Sequence, residues 1–94
     1  MKTWTVYIVR CADDTLYTGI ARDAARRLAE HNSNDLLASR YTRGRRPVML
    51  VYQDVVATRS VALKREYRIK QMSRKEKEKL IKPVLRTVHP SRGY

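Results

Sequence analysis

The chain has 94 residues, 43% of them apolar and 32% charged, which is room for one globular domain that buries roughly two-thirds of its unfolded surface. Lys and Arg number 21 against 9 Asp and Glu, for a net charge of +12. No apolar run approaches the ~20 residues of a membrane span, and the single cysteine, Cys11, excludes an intrachain disulfide or a cysteine-rich zinc site and makes a reducing cytoplasm, nucleoid association included, the expected compartment.

The N-terminal Met1-Lys2-Thr3 leads into a strand, not into a signal-peptide core. From Trp4 onward the residues alternate. Trp4, Val6 and Ile8 share one face, and Thr5, Tyr7 and Val9 the other. Asp13-Asp14 signals a turn and residues 15–20 a second strand, so the two form a hairpin. Asp23 caps a helix predicted over 24–31, with Ala25, Leu28 and Ala29 as its apolar stripe. Asn32-Ser33-Asn34-Asp35 ends it. Residues 36–47 read as a long functional loop with a helical turn over 36–39.

Residues 48–52 are continuously apolar, the mark of a strand covered on both faces. Ser60 caps a helix predicted over 61–72. Ser73-Arg74-Lys75-Glu76 is a capping box that opens a last helix, which Pro83 stops near residue 82. One domain is therefore expected over 2–80, with 81–94 a basic, loosely ordered tail. The order ββαβαα predicts an α+β fold, a small three-stranded antiparallel sheet flanked by helices.

Charge is spread unevenly. Residues 1–58 carry a net +3, residues 59–82 a net +7 and residues 83–94 a net +2. Arg40, Arg43, Arg45 and Arg46 crowd into seven residues around Tyr41, and Arg outnumbers Lys by 14 to 7. Such density predicts a polyanion partner, salt-sensitive binding and bidentate phosphate contacts.

Tyr7 and Tyr17 lie ten residues apart on consecutive strands. Opposed residues of an antiparallel pair have a constant index sum, so an even sum puts both tyrosines on one face and an odd sum separates them. A two-residue turn at Asp13-Asp14 gives an odd sum, and a three-residue loop of Ala12-Asp13-Asp14 an even one. Gly19 allows close approach of a ligand or another backbone. Arg27 and His31, at i and i+4, project from one helix face. Glu66 shares a helix stripe with Ala62 and Ile69. A carboxylate in an apolar stripe needs a cation, which is either Lys70 in a salt bridge or a divalent metal.

Thr5-Val6-Tyr7, Tyr17-Thr18-Gly19, Arg27, His31 and Glu66, in this order and spacing, resemble the GIY-YIG nuclease domain over about residues 2–80. The length and the Arg40–Arg46 segment are similar to its small stand-alone bacterial members. The resemblance implies a metal-dependent endonuclease with Tyr7, Tyr17, Arg27, His31 and Glu66 as catalytic residues. Glu66 would hold a single Mg²⁺ or Mn²⁺, Arg27 would donate to nonbridging phosphate oxygens, and Tyr7 would act as general base with its pKa lowered by Arg27 and the metal. Two features depart from the family pattern: Thr5-Val6 replaces Gly-Ile, and no Asn lies downstream of Asn34.

Gly19, Arg40, Tyr41, Arg43, Arg45, Arg46 and Lys70 are the expected nucleic-acid contacts, with Tyr41 available for base stacking. The expected partner is nucleic acid, DNA before RNA, read through its phosphates with low sequence specificity, with a structure-selective target such as a flap, branch or single strand also open. Neither a membrane nor an obligate protein partner is expected. The rival reading is a noncatalytic basic module, a decayed nuclease or a ribosome-associated protein.

Overall fold

The computed structural model describes residues 2–88, with side chains up to Ile81. Strand β1 (Trp4–Arg10) is the centre of the sheet, with β2 (Leu16–Ala21) and β3 (Met49–Val56) antiparallel on either side. Helices α1 (Ala24–Ser33) and α2 (Arg40–Arg43) join β2 to β3, and α3 (Arg59–Lys70) and α4 (Arg74–Val88) follow. This is the α+β, three-stranded arrangement that the sequence predicts, with an extra short helix in the long loop.

The hairpin takes the three-residue option. Cys11 donates to the Thr15 carbonyl and Asp14 to the Cys11 carbonyl, so Ala12, Asp13 and Asp14 form the loop. Asp14 occupies the left-handed region at φ 69°, the position that a three-residue hairpin loop requires. Tyr7 then pairs with Gly19 and Val9 with Tyr17. The index sum is even, and both tyrosines share a face.

Each face of β1 has its own core. Val6 and Ile8 pack with Val51, Ala62, Ile69 and Ile81 beneath α3 and α4. On the opposite face Tyr7, Val9, Cys11 and Val48 pack with Tyr17, Leu28 and Tyr41 beneath α1 and α2. A bulge in β3 between the partners of Ile8 and Val9 puts the consecutive residues Val51 and Tyr52 in the same, first core, while Leu50 lies in the second. The apolar run is thus covered on both faces, although the strand begins at Met49 and extends four residues past the predicted end at Tyr52.

Several boundaries differ from expectation. The cap of α3 is Thr58, whose hydroxyl accepts from the Val61 amide, not Ser60. Asp23 caps α1 as predicted, but the helix runs on to Ser33 because the Asn34 amide still reaches the Glu30 carbonyl. Its inward face is Ala24, Arg27, Leu28 and His31, whereas Ala25 and Ala29 are exposed. Alanine is small enough to sit in water at little cost, so it marks a core stripe poorly. The helical turn of the long loop lies at α2, capped by Ser39, and not at 36–39. Helix α4 continues past Pro83 to Val88; the rest of the expected tail, residues 89–94 with His89, lies outside the described residues.

Arg10 ties α4 to the sheet through two hydrogen bonds to Glu78, of 2.8 and 3.0 Å. This pairing with Arg10 holds the Glu78 carboxyl down at about 2. Among the described residues, no helix is long and apolar enough to cross a membrane. Ile69, fully buried between α3 and the sheet, should cost about 2–5 kcal/mol when cut to Ala. The exposed Ala25→Ser should stay within about 0.5 kcal/mol of the parent. Urea denaturation of both variants checks the assigned faces.

Candidate active site

The even register brings the Tyr7 ring across Gly19. A Cβ built on Gly19 would meet the Tyr7 hydroxyl at 2.5 Å and its Cζ at 2.7 Å, closer than real atoms come. The absence of a side chain at Gly19 is therefore what lets the phenol reach toward the β2 edge of the sheet. There the hydroxyl meets His31, which α1 supplies, at 3.0 Å from Nε2. The other ring nitrogen, Nδ1, lies 2.8 Å from Thr42 Oγ1.

This network engages both ring nitrogens of the imidazole. Thr42 Oγ1 also meets the Ser39 hydroxyl at 2.9 Å and the Ser39 carbonyl at 3.3 Å. With its one proton on Ser39 it accepts from Nδ1–H, and with that proton on Nδ1 it accepts from the Ser39 hydroxyl, so the contacts serve either tautomer. His31 and Thr42 are both fully buried. Burial, with Arg27 and Arg46 nearby, pushes the His31 pKa down to about 4 against the partial opposition of Glu30. The ring is neutral at physiological pH.

Tyr7 departs from the expected direction. Burial pushes its phenol up to about 12, Tyr17 adds to the rise, Arg27 opposes it, and the Glu66 carboxylate raises it further. Arg27 acts on the hydroxyl as the sequence suggests, but desolvation of a phenolate under α1 outweighs one partly exposed guanidinium. Arg27 itself is held by Glu30 at 3.0 Å and by the Leu37 carbonyl. It borders an open cavity with Ala21, Arg22, Arg26 and Glu30.

Glu66 stands on α3, which packs on the other face of the sheet, closest to β2 and β1. The Tyr7 phenol nonetheless feels the Glu66 carboxylate, which adds to the rise of its pKa. As predicted it occupies the buried side of α3 with Ala62 and Ile69, its side chain 18% exposed. Lys70 meets it at 3.2 Å, which is the salt-bridge alternative. Among the described residues no three His, Cys, Asp or Glu side chains cluster as a preformed metal site. A lone, reachable carboxylate suits a hard cation that arrives with substrate, because Mg²⁺ commonly takes one or two carboxylates and completes its shell with phosphates and water.

The arginine-rich segment is more structural than its composition suggests. Tyr41 stacks on Tyr17 at 5.5 Å, and Arg45 lies 4.0 Å over the Tyr41 ring. Arg45 also pairs with Asp13, and Arg46 with Asp35 and the His31 carbonyl. Arg40 and Arg43 are exposed and make no ion pair among the described residues. The edge of Tyr17 packs against His31 at 5.6 Å. Two residues escaped the sequence reading. Thr42 was submerged in an arginine run, and Asn32, read as a helix terminator, grips both backbone groups of Val48 and docks β3 to α1. A buried His with one assigned partner is the sole hint that a second was needed. Cys11 is a free, buried thiol.

A family described as the GIY-YIG catalytic domain matches residues 3–79. The chain belongs to the GIY-YIG family, a family of nucleases. A UPF0213 protein of Desulfotalea psychrophila is 60% identical over 79 residues, which are 84% of this chain and 71% of that protein. Another, of Staphylococcus saprophyticus, is 53% identical over 76 residues, 81% of this chain and 90% of that one. The solution NMR structure of a protein from E. faecalis shares 37% identity and superposes with TM-score 0.59, covering 95% of this chain and 88% of that one. The NMR structure of a UPF0213 protein from Bacillus halodurans gives 36% identity and TM-score 0.55, over 85% and 83%.

Two outcomes follow from the geometry. A histidine pKa depressed in the fold adds stability that is complete above the unfolded value near 6.5 and is lost as pH falls toward 4. The His31 imidazole resonances should therefore stay unshifted from pH 7.5 to 5.5, and denaturation midpoints should begin to fall below pH 6.5. An ordinary titration near 6.5 would contradict the buried network. Gly19→Ala must displace the Tyr7 ring, so it should uncouple Tyr7 from His31, visible as a shift of the His31 resonances in a protein that still folds.

Proposed function

We propose that the chain is a metal-dependent endonuclease that hydrolyses phosphodiester bonds of nucleic acid, DNA before RNA, with low sequence specificity. What supports this reading is the hydrogen bond between the Tyr7 hydroxyl and His31, with Arg27 and Glu66 both acting electrostatically on that phenol. A merely basic binding module has no need of a buried tyrosine–histidine hydrogen bond or of a half-buried carboxylate on α3. The cytoplasm is the compartment that this reading assigns.

Tyr7 accepts a proton from the attacking water as its own proton passes to His31 Nε2, in the tautomer whose Nδ1–H donates to Thr42. A phenol at about 12 is a weak base by itself. Its hydrogen bond to a neutral imidazole supplies the acceptor that the isolated phenol lacks. Arg27 turns from Glu30 to the nonbridging oxygens, where charge grows in the transition state. Once Arg27 is engaged by phosphate, it depresses the proton affinity of His31 less, because Arg27 is one cause of that depression. Tyr17 positions the phosphate or the water through its hydroxyl. Glu66, released from Lys70, would hold one Mg²⁺ or Mn²⁺, which supplies Lewis-acid stabilisation of the leaving oxygen. Arg40 and Arg43 are the free cations of the arginine-rich segment, and with Lys70 they contact the backbone.

Branched, single-stranded and supercoiled DNA, and RNA, should be incubated with Mg²⁺ or Mn²⁺. Arg27→Ala and Glu66→Gln should each lower the cleavage rate by about 10²-fold or more while binding persists, and chelation should abolish cleavage. Binding without metal-dependent cleavage of any of these substrates would leave the noncatalytic module.

A further inference from the structure

The outer flank of α3 is unusual for a surface helix. Tyr67 is 68% exposed and Leu63 39% exposed, and together with Lys64, Arg68 and Gln71 they line an open groove. Tyr67 follows Glu66 directly. At 100° per residue the flank runs from Glu66 through Lys70 and Leu63 to Tyr67, then on to Lys64 and Arg68. Neither Lys64 nor Arg68 forms a salt bridge among the described residues, while Arg65 on the inner side pairs with Asp54 and Lys70 with Glu66. No acid faces this groove from α3, since Glu66, the one acid of the helix, is turned to the core side.

We infer that this groove is a binding site for an unpaired nucleic-acid strand, with Tyr67 as the platform on which a base stacks and Lys64 and Arg68 as its phosphate contacts. An exposed phenol flanked by unpaired cations offers a π-face and countercharge together, the combination that holds single strands. A protein partner with an ordinary acidic-apolar helix would fit the charge, but it would not explain a track that begins at the carboxylate beside the cleavage site. Tyr41, the aromatic that the sequence offers for stacking, already has its ring engaged by Tyr17 and Arg45. Tyr67 has no stacking or cation–π partner among the described residues. The inference deepens the nuclease reading and rests on it for orientation: a strand seated on α3 would pass the Glu66 edge, so the favoured substrates are flaps and single-stranded branches.

The test is equilibrium binding of the full chain, in chelator so that no cleavage intervenes, to one labelled oligonucleotide as single-stranded DNA, single-stranded RNA and duplex. Tyr67→Ala should weaken single-strand binding by about 5-fold or more and leave duplex affinity unchanged. Tyr67→Phe should keep the parent affinity. A 2-aminopurine placed in the strand should be quenched by the parent and by Tyr67→Phe but not by Tyr67→Ala. The DNA and RNA arms decide which strand is preferred. Lys64→Ala with Arg68→Ala should flatten the salt dependence of strand binding. Equal loss on strand and duplex, or no loss, overturns the inference. So does sedimentation showing a dimer that Tyr67→Ala dissolves, which would make the groove a contact between two copies. Failure of the nuclease reading would appear separately, as absent cleavage with this binding pattern intact.

Discussion

A backbone position without a side chain organises the site. Gly19 stands directly opposite Tyr7, and the phenol occupies the space that a Cβ at that position would need. From there the hydroxyl gains His31, the imidazole gains Thr42, and the two elements that bring those partners, α1 and α2, close the second core of the sheet. From α3, which packs on the opposite face, Glu66 acts electrostatically on Tyr7. Widening that position by one carbon would leave the sheet intact and take the site apart.

Desolvation is the second theme. It drives His31 down to about 4 and Tyr7 up to about 12, both toward the neutral form. A neutral phenol and a neutral imidazole form their hydrogen bond without placing a charge in a buried site. The arginines around them, Arg27 and Arg46, are held by Glu30, Asp35 and backbone carbonyls. The fold thus holds both guanidinium groups in place beside the buried pair.

The positive charge divides into two kinds. Arg45 and Arg46 are built into the fold, and Arg10 clamps α4 through Glu78. Arg40, Arg43, Lys64 and Arg68 have no acidic partner among the described residues, and all four are exposed. A net charge of +12 therefore overstates the number of groups free to meet a polyanion, though it still predicts strong salt dependence.

The alternation of β1, the cap at Asp23, the capping box at Ser73 and the odd placement of Glu66 were all legible in the residues, because each is a local or single-helix property. So was the dependence of the tyrosine pair on loop length, as a choice between an odd and an even sum. Which sum holds was decided by Asp14 in the left-handed region, a conformation that Asp tolerates without announcing it. The exposure of Ala25 and Ala29, the stacking of Tyr41 on Tyr17 and the pairing of His31 with Thr42 arose only when helices met the sheet. Side-chain type sets what a residue can do. The neighbours that desolvate it set which of those things it does, and those neighbours come from distant parts of the chain.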